Sequence, residues 1–216
     1  MDTLHSLTSK FPSNMKTIIK TSFAFLFFAA IASCTKENMK TAATQQSTNQ
    51  SSQTATDALL TVHHIGDSFG GGIIFWLDTS KQHGLVVTKS DLSASGNFQI
   101  RWYNGSYKVT GATGTAIGTG LKNTNKIVTA QGSGTYAAKL CADLNLNGFT
   151  DWYLPSKAEL NALYNHRAKV PGLGATNYWS STESNINNAW DEEFGGGFKF
   201  ADDKSFTLRV RAIRSF

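Results

Sequence analysis

The sequence predicts an α+β fold with two or three helices and short antiparallel strands joined by long loops. One helix is well specified, because Ser156 and Glu159 directly after Pro155 have the spacing of a capping box. Short apolar and aromatic runs, typical of strands, lie on both sides of it. Aromatic residues make up 12% of the chain and glycine occurs 19 times. That composition indicates a loop-rich domain held together by large buried rings.

The N-terminal 34 residues have the features of a bacterial lipoprotein signal, with Met15 as the preferred start. Two lysines precede an apolar run, residues 22–32, that is too short to cross a bilayer. The four residues ending at Cys34 then resemble a lipobox, which predicts lipid attachment at Cys34. An ordinary signal peptide with an incidental cysteine is the alternative. A lipid anchor predicts an outer-membrane protein on the periplasmic or the cell-surface face.

Residues 35–59 are rich in Ser, Thr, Gln and Asn and contain almost no large apolar side chains. Such a composition cannot bury enough surface to offset the entropy of ordering, so a flexible tether is expected. Residues 60–216 have the composition of one packed domain.

The first half of this domain predicts a hairpin and two helices. Three glycines, residues 70–72, precede an apolar strand at 73–77, and residues 84–88 are its expected hairpin partner. A long irregular region at 91–120 comes next. The helices are expected at 123–130 and 135–144, the second with Ala137, Ala138, Cys141 and Leu144 on one face.

The second half centres on the capped helix. A short aromatic strand at 148–154 leads into it, and Leu160, Leu163 and Tyr164 form its apolar stripe. Closing strands are expected at residues 178–182, 189–190, 198–200 and 205–216.

Composition and motifs argue against several classes of function. The formal net charge is +5, and about +3 without the leader, which is too weak to indicate a nucleic-acid partner. Gly132–Ala137 loosely matches a dinucleotide fingerprint but follows a helix instead of a strand. Cys141 is expected to be a small core residue, and the acidic runs at 191–193 and 202–203 to be solvated. A non-catalytic protein without a cofactor is therefore predicted.

One turn partly resembles a calcium-binding loop. Asp143, Asn145, Asn147 and Asp151 supply oxygen donors near Gly148, as in the first half of an EF-hand. The twelfth position, which needs a bidentate carboxylate, is Leu154. A polar turn is therefore favoured over a calcium site.

Two groups of residues are candidates for ligand binding. Trp102 and Tyr103 lie in a polar loop near Arg101 and Lys108 and are expected to be exposed, as in a site for acidic or sulfated glycans. Arg209, Arg211 and Arg214 lie in the predicted last strand. They could form a cationic patch, but internal pairing with Asp151, Glu159, Asp191 or Glu192 is the favoured interpretation.

From about Ile65 to Phe216 the chain resembles the Lcl C-terminal domain family. The matching segments are Gly70–Phe75, Gly111–Gly114, Ile117–Gly120, Asn123–Thr124, Asp151–Ser156, Glu159–Leu160, Tyr178–Thr182, Ala189–Trp190 and Val210–Arg214. The resemblance implies a C-type-lectin-like fold, related to that of formylglycine-generating enzyme. It also implies adhesion through sulfated glycans and assembly as a homotrimer.

The sequence departs from the catalytic and calcium-binding relatives of that fold. The calcium-dependent sugar motifs of C-type lectins do not occur, and Cys141 alone cannot supply the cysteine pair of a formylglycine-generating enzyme. The leading hypothesis is a lectin-like lipoprotein that binds extracellular glycans or matrix. The alternative is a structural or protein-interaction module of an envelope complex, and an enzyme of the same fold comes third.

Overall fold

The structure, a computed structural model, describes residues 62–94 and 96–216. The predicted leader and tether lie outside the described residues. The described part is α+β, as the sequence predicts, with three α-helices and three small antiparallel sheets.

The elements in chain order are β1 (Ser68–Phe69), β2 (Gly72–Leu77), β3 (Gly84–Val87), β4 (Ile100–Arg101), α1 (Gly120–Gln131), α2 (Ala137–Ala142), α3 (Lys157–Asn165), a 3-10 turn (Arg167–Lys169), β5 (Asn177–Glu183), β6 (Asn188–Glu193), β7 (Lys199–Asp203), β8 (Thr207–Leu208) and β9 (Ile213–Ser215). The sheets have the orders β1-β2-β3-β9, β4-β8 and β5-β6-β7.

The predicted β2–β3 hairpin is confirmed. The strands pair antiparallel, with Ile73 opposite Val87 and a bulge between Ile74 and Trp76. The preceding glycines are required by the backbone geometry. Gly71 has a φ of +84°, and a Cβ on Gly72 would lie only 2.4 Å from the Val87 carbonyl oxygen.

The predicted capping box at α3 is also confirmed. The Ser156 hydroxyl accepts a hydrogen bond from the Glu159 N–H (3.3 Å), and the Glu159 carboxylate accepts one from the Ser156 N–H (2.7 Å). Glu159 is fully buried, and it also accepts a hydrogen bond from the Gly118 N–H (2.8 Å). The cap therefore fixes both the start of α3 and the loop before α1.

The other two helices differ from their predicted lengths. α1 begins three residues earlier than expected, at Gly120, and α2 covers only Ala137–Ala142. Cys141 is fully buried on α2, as predicted, and burial raises the pKa of its thiol.

Two predicted strands are wrong. Residues 148–154 contain only isolated bridges, such as Tyr153 opposite Ile213. The segment 205–216 is two short strands in different sheets, because β8 pairs with β4 and β9 pairs with β3. The chain therefore crosses between sheets, and strand alternation does not decide where its three arginines point.

Two buried clusters form the core. One contains Trp102, Trp152 and Trp179 with α1 and α2, and the other contains Phe75, Tyr178 and the apolar stripe of α3. Successive side chains of β2 and β3 alternate between the two clusters, so the sheet that contains these strands lies between them.

Candidate functional site

Trp102 is not exposed, so the prediction that it could present a ring to a ligand is wrong. It is 0% exposed, and its indole Nε1 donates a hydrogen bond to the Ser180 carbonyl oxygen at 2.8 Å. The polar neighbours of Trp102 in the sequence suggested a surface loop. The core that encloses the ring comes from segments far away along the chain.

Tyr103 is also mostly buried, at 8% exposure, and stacks on Tyr107 with ring centroids 4.9 Å apart. It lies with the exposed Arg101 in a polar cleft of about 370 Å³. The amide side chains of Asn97, Gln99 and Asn104 also line this cleft. The structure therefore brings two of the four predicted residues, Arg101 and Tyr103, together.

Lys108 lies elsewhere, beside the end of α1. It is exposed, and its Nζ donates a hydrogen bond to the Ala130 carbonyl oxygen at 3.2 Å. Ala130 is part of a second and larger cleft, which no sequence pattern had indicated.

This second cleft, called the basic cleft below, runs along the outer side of α1 and has a volume of about 570 Å³. It is lined by Thr110, Gly118, Leu121, Lys122, Asn125, Lys126, Thr129 and Ala130. Lys122 and Lys126 are one helical turn apart and therefore lie on the same side of α1. No carboxylate is among these lining residues, so the two lysines give the lining of the basic cleft a net positive charge.

The loop at Thr110 and Gly111, which forms one wall of the basic cleft, is fixed by hydrogen bonds to Glu183 and Lys126. Glu183 is 5% exposed and accepts hydrogen bonds from the N–H groups of Thr110 (3.0 Å) and Gly111 (2.9 Å). The Lys126 Nζ donates to the Gly111 carbonyl oxygen at 2.5 Å. These contacts fix the loop against α1, so the cleft is formed before any ligand binds.

The three C-terminal arginines pair internally, as the favoured interpretation predicted. Arg209 and Arg211 both contact Asp91, a partner that the sequence analysis did not identify, and Arg214 binds both carboxylate oxygens of Asp151 at 2.7 and 2.8 Å. Arg211 is fully buried and also donates to the carbonyl oxygens of Thr88 and Gly172. These guanidinium groups are part of the scaffold.

The carboxylates of the calcium hypothesis already have cationic partners. Asp143 forms an ion pair with Lys139, and the Arg214 guanidinium lowers the pKa of Asp151. Asn147 has a φ of +54° and donates a hydrogen bond to the Gly71 carbonyl oxygen (3.4 Å), as expected for a polar turn. Within 62–94 and 96–216, no three His, Cys, Asp or Glu residues are grouped as metal ligands.

Asp191 and Glu192 are both about 1% exposed, so the prediction that the 191–193 run is solvated is wrong. They alternate in β6, opposite Trp179 and Tyr178 respectively. Burial raises the pKa of Asp191 to about 7 and also raises the pKa of Glu192. The side chains point to opposite faces of the sheet and therefore do not form a carboxylate pair.

The model of the Lcl C-terminal domain matches residues 99–214, more than half of the chain. The chain belongs to the Lcl C-terminal domain family. The match includes α1, the basic cleft from Thr110 to Ala130, and all three paired arginines.

The structure of this Lcl C-terminal domain protein is similar to the crystal structure of a fimbrial protein from Bacteroides ovatus. The sequence identity is 16% and the TM-score 0.47, and the similar region covers 66% of this chain and 43% of the fimbrial protein. A similarity of that size supports no conclusion about ligand or fold type. No curated protein matches the chain significantly. Among the helices of the described ranges, none has the length and apolar character needed to span a bilayer.

Proposed function

We propose that this Lcl C-terminal domain protein is a non-catalytic cell-envelope lipoprotein whose basic cleft binds acidic or sulfated glycans. The single observation that carries the proposal is the lining of that cleft. Two lysines at helical spacing face an opening of about 570 Å³ without any lining carboxylate. Ammonium groups bind sulfate and carboxylate groups through charge-assisted hydrogen bonds.

The shape and composition of the basic cleft also suit a glycan. Leu121 is 44% exposed and gives an apolar surface for the hydrophobic face of a sugar ring, while Asn125 and Thr129 can bond hydroxyl groups. The polar cleft at Arg101 and Tyr103 could bind a further part of the same glycan.

The fold type and the cellular context are part of this proposal. The α+β architecture is consistent with a C-type-lectin-like domain, and family membership is consistent with a cell-surface or adhesion-type module. Attachment to the outer membrane through Cys34 and exposure on the periplasmic or cell-surface face are also proposed.

Reversing the charge of Lys122 tests the basic cleft. Lys122→Glu is expected to weaken binding to a sulfated glycan by about tenfold, corresponding to about 1.4 kcal/mol. Affinity of the full-length wild type should also fall as salt rises, because surface charges are screened. Binding is measured on an array of sulfated, carboxylated and neutral glycans at low and high salt.

The matched control is Lys89→Glu, which reverses the charge of an exposed lysine outside the basic cleft. Equal losses in the two variants would exclude the cleft as the site. Failure of the wild type to bind any acidic glycan at low salt would exclude the function itself.

Lipid attachment is tested separately, at a residue outside the described part. Cells grown with a palmitate analogue should label the wild-type chain, since a lipobox cysteine is acylated. Cys34→Ala should remove the label, whereas Cys141→Ala should keep it because Cys141 is buried in the domain. Equal labelling of Cys34→Ala and wild type would contradict the anchor.

A further inference from the structure

Exposed apolar side chains are concentrated at one end of the described domain. Ten large hydrophobic residues are at least 40% exposed, and six of them lie in or beside β7 and the neighbouring turns. These six, called the apolar edge patch, are Tyr107, Val109, Ile186, Phe198, Phe200 and Phe206. A patch of this kind on a soluble domain indicates an interaction surface.

Hydrogen bonds bring four members of the patch, Tyr107, Val109, Ile186 and Phe206, to the same end of β7. The Tyr107 hydroxyl donates to the Asp203 carboxylate at 2.6 Å. The Lys204 Nζ donates to the carbonyl oxygens of Lys108 (3.3 Å) and Ile186 (2.8 Å). The loops that contain Tyr107, Val109 and Ile186 are therefore fixed at the C-terminal end of β7, close to Phe206.

β7 is also an open edge. It is the outer strand of the sheet β5-β6-β7 and pairs only with β6 among the described strands. The Glu193 N–H donates to the Phe198 carbonyl oxygen and the Lys204 N–H to the Asn187 carbonyl oxygen. By the alternation of an antiparallel ladder, the backbone groups of Lys199, Ala201 and Asp203 point away from β6.

Two of the β7 carbonyl oxygens that point away from β6 already accept one hydrogen bond. The Ala201 carbonyl oxygen accepts from the Asn188 side chain (2.6 Å), and the Asp203 carbonyl oxygen from the Phe206 N–H (2.9 Å). A carbonyl oxygen has two lone pairs and can accept a second bond. The outer edge of β7 therefore retains both donors and acceptors for another strand.

We infer that β7 pairs antiparallel with β7 of a second copy of this chain, around a two-fold axis at Ala201. Charge complementarity selects this partner and register. Pairing across Ala201 places Lys199 of each copy opposite Asp203 of the other, which gives two opposite-charge pairs. Within one chain the Lys199 Nζ lies 3.3 Å from the Glu192 carboxylate, and Asp203 Oδ1 accepts a hydrogen bond from the Tyr107 hydroxyl, so these pairs add to contacts that both residues already make. A shift by two residues in either direction places Ala201 opposite one of these charges and loses both pairs.

The pairing continues the sheet across the axis and covers the apolar edge patch. Two three-stranded sheets join into one of six strands, and the two-fold axis closes the assembly at two copies. The side chains of Phe198 and Phe200, 66% and 43% exposed, then pack along the new interface. This inference is independent of the glycan proposal, since the basic cleft lies on α1.

A cysteine at the proposed axis tests the pairing in the full-length chain. Across a hydrogen-bonded antiparallel pair the two Cα atoms are about 5.5 Å apart, within the range that a disulfide spans. Under mild oxidation of intact cells, Ala201→Cys is expected to give a band of twice the chain mass on a non-reducing gel. Reduction should return it to the single-chain mass.

Two matched controls accompany the test. Ala168→Cys places a thiol at an exposed alanine in the 3-10 turn and should stay monomeric. Phe200→Glu in the Ala201→Cys background should abolish the dimer, because residue 200 lies opposite Asp202 of the other copy and like charges directly opposite each other disfavour strand pairing. Phe98→Glu, at a residue of similar exposure (47% against 43%), should leave the dimer unchanged.

Three results would overturn the inference. They are no cross-link at residue 201, equal cross-linking at residue 168, and a cross-linked product whose mass shows a different protein as partner. Persistence of the dimer with Phe200→Glu would exclude the β7 edge as the contact.

Discussion

Replacing Lys204 with alanine is expected to destabilise the folded protein by about 3–5 kcal/mol, the usual effect of breaking a buried ion pair. Lys204 is 0% exposed, and its Nζ lies 2.7 Å from the Glu183 carboxylate. It also donates to two carbonyl oxygens and lies 4.7 Å from the centre of the Trp102 ring. The variant leaves the Glu183 charge buried without its counterion.

The measurement is the free energy of unfolding in urea, followed by tryptophan fluorescence. Lys89→Ala, at an exposed lysine, should lose less than about 0.5 kcal/mol. Adding Glu183→Gln to Lys204→Ala should recover part of the loss. The glutamine removes the unpaired charge and keeps an acceptor for the Thr110 and Gly111 N–H groups. A Lys204→Ala loss no larger than that of Lys89→Ala would contradict the structural role of this pair.

The position of Lys204 also explains its importance to the proposed interfaces. Through Glu183 it supports the wall of the basic cleft, and through Lys108 and Ile186 it fixes the loops of the apolar edge patch. A destabilised Lys204 variant should therefore disturb both surfaces together. Lys122→Glu and Phe200→Glu should each affect only one of the two surfaces.

The parts of the fold that the sequence predicts correctly depend on residues close together in the chain. The capping box joins Ser156 to Glu159, and the β2–β3 hairpin follows from two adjacent apolar runs after three glycines. In both cases the stabilising interactions join residues that are close together in the sequence, so the local sequence pattern is enough to predict the structure.

The wrong predictions depend on contacts between distant residues. Trp102 is buried by a partner 78 residues away, and Arg211 pairs with Asp91 across 120 residues. The polar residues next to Trp102 in the sequence predicted that it is exposed, and the run of carboxylates at 191–193 predicted that these residues are solvated. Only the three-dimensional fold shows that β6 lies between two buried layers, with Trp179 and Tyr178 opposite these carboxylates.

The candidate site could have been found in part from the sequence. Lys122 and Lys126 have the spacing that places two lysines on one side of a helix. The predicted helix began at Asn123, which left Lys122 outside it, whereas α1 begins at Gly120. The loop that closes the basic cleft is held by Glu183, 73 residues from Thr110, and no local pattern indicates that contact.

Replacing Asp191 with asparagine is expected to stabilise the protein at pH 8 and to have little effect near pH 4. Burial raises the pKa of Asp191 from 3.8 to about 7, so the folded state binds a proton that the unfolded state releases. Stability therefore falls as the pH rises from about 4 to about 7. The full cost above that range is about 4 kcal/mol, since each unit of pKa corresponds to about 1.4 kcal/mol.

The contacts of Asp191 suit this substitution. The Asn177 side chain donates a hydrogen bond to Asp191 Oδ2 at 2.7 Å, and an asparagine oxygen can accept the same bond. Oδ1 of Asp191 is buried without a partner among the described residues, and the nearby Asp202 adds like-charge repulsion. The neutral amide removes the buried charge and the repulsion from Asp202, while the group in place of Oδ1 still lacks a hydrogen-bond partner. The expected gain at pH 8 is therefore at most about 4 kcal/mol.

Urea unfolding of wild type and Asp191→Asn across pH 4–8 measures this difference. Some loss of stability with rising pH should remain in the variant, because burial also raises the pKa of Glu192. A gain of equal size at pH 4 and pH 8 would show that Asp191 acts through packing and not through its charge. A loss at pH 8 would show that its ionised form is stabilised by the fold.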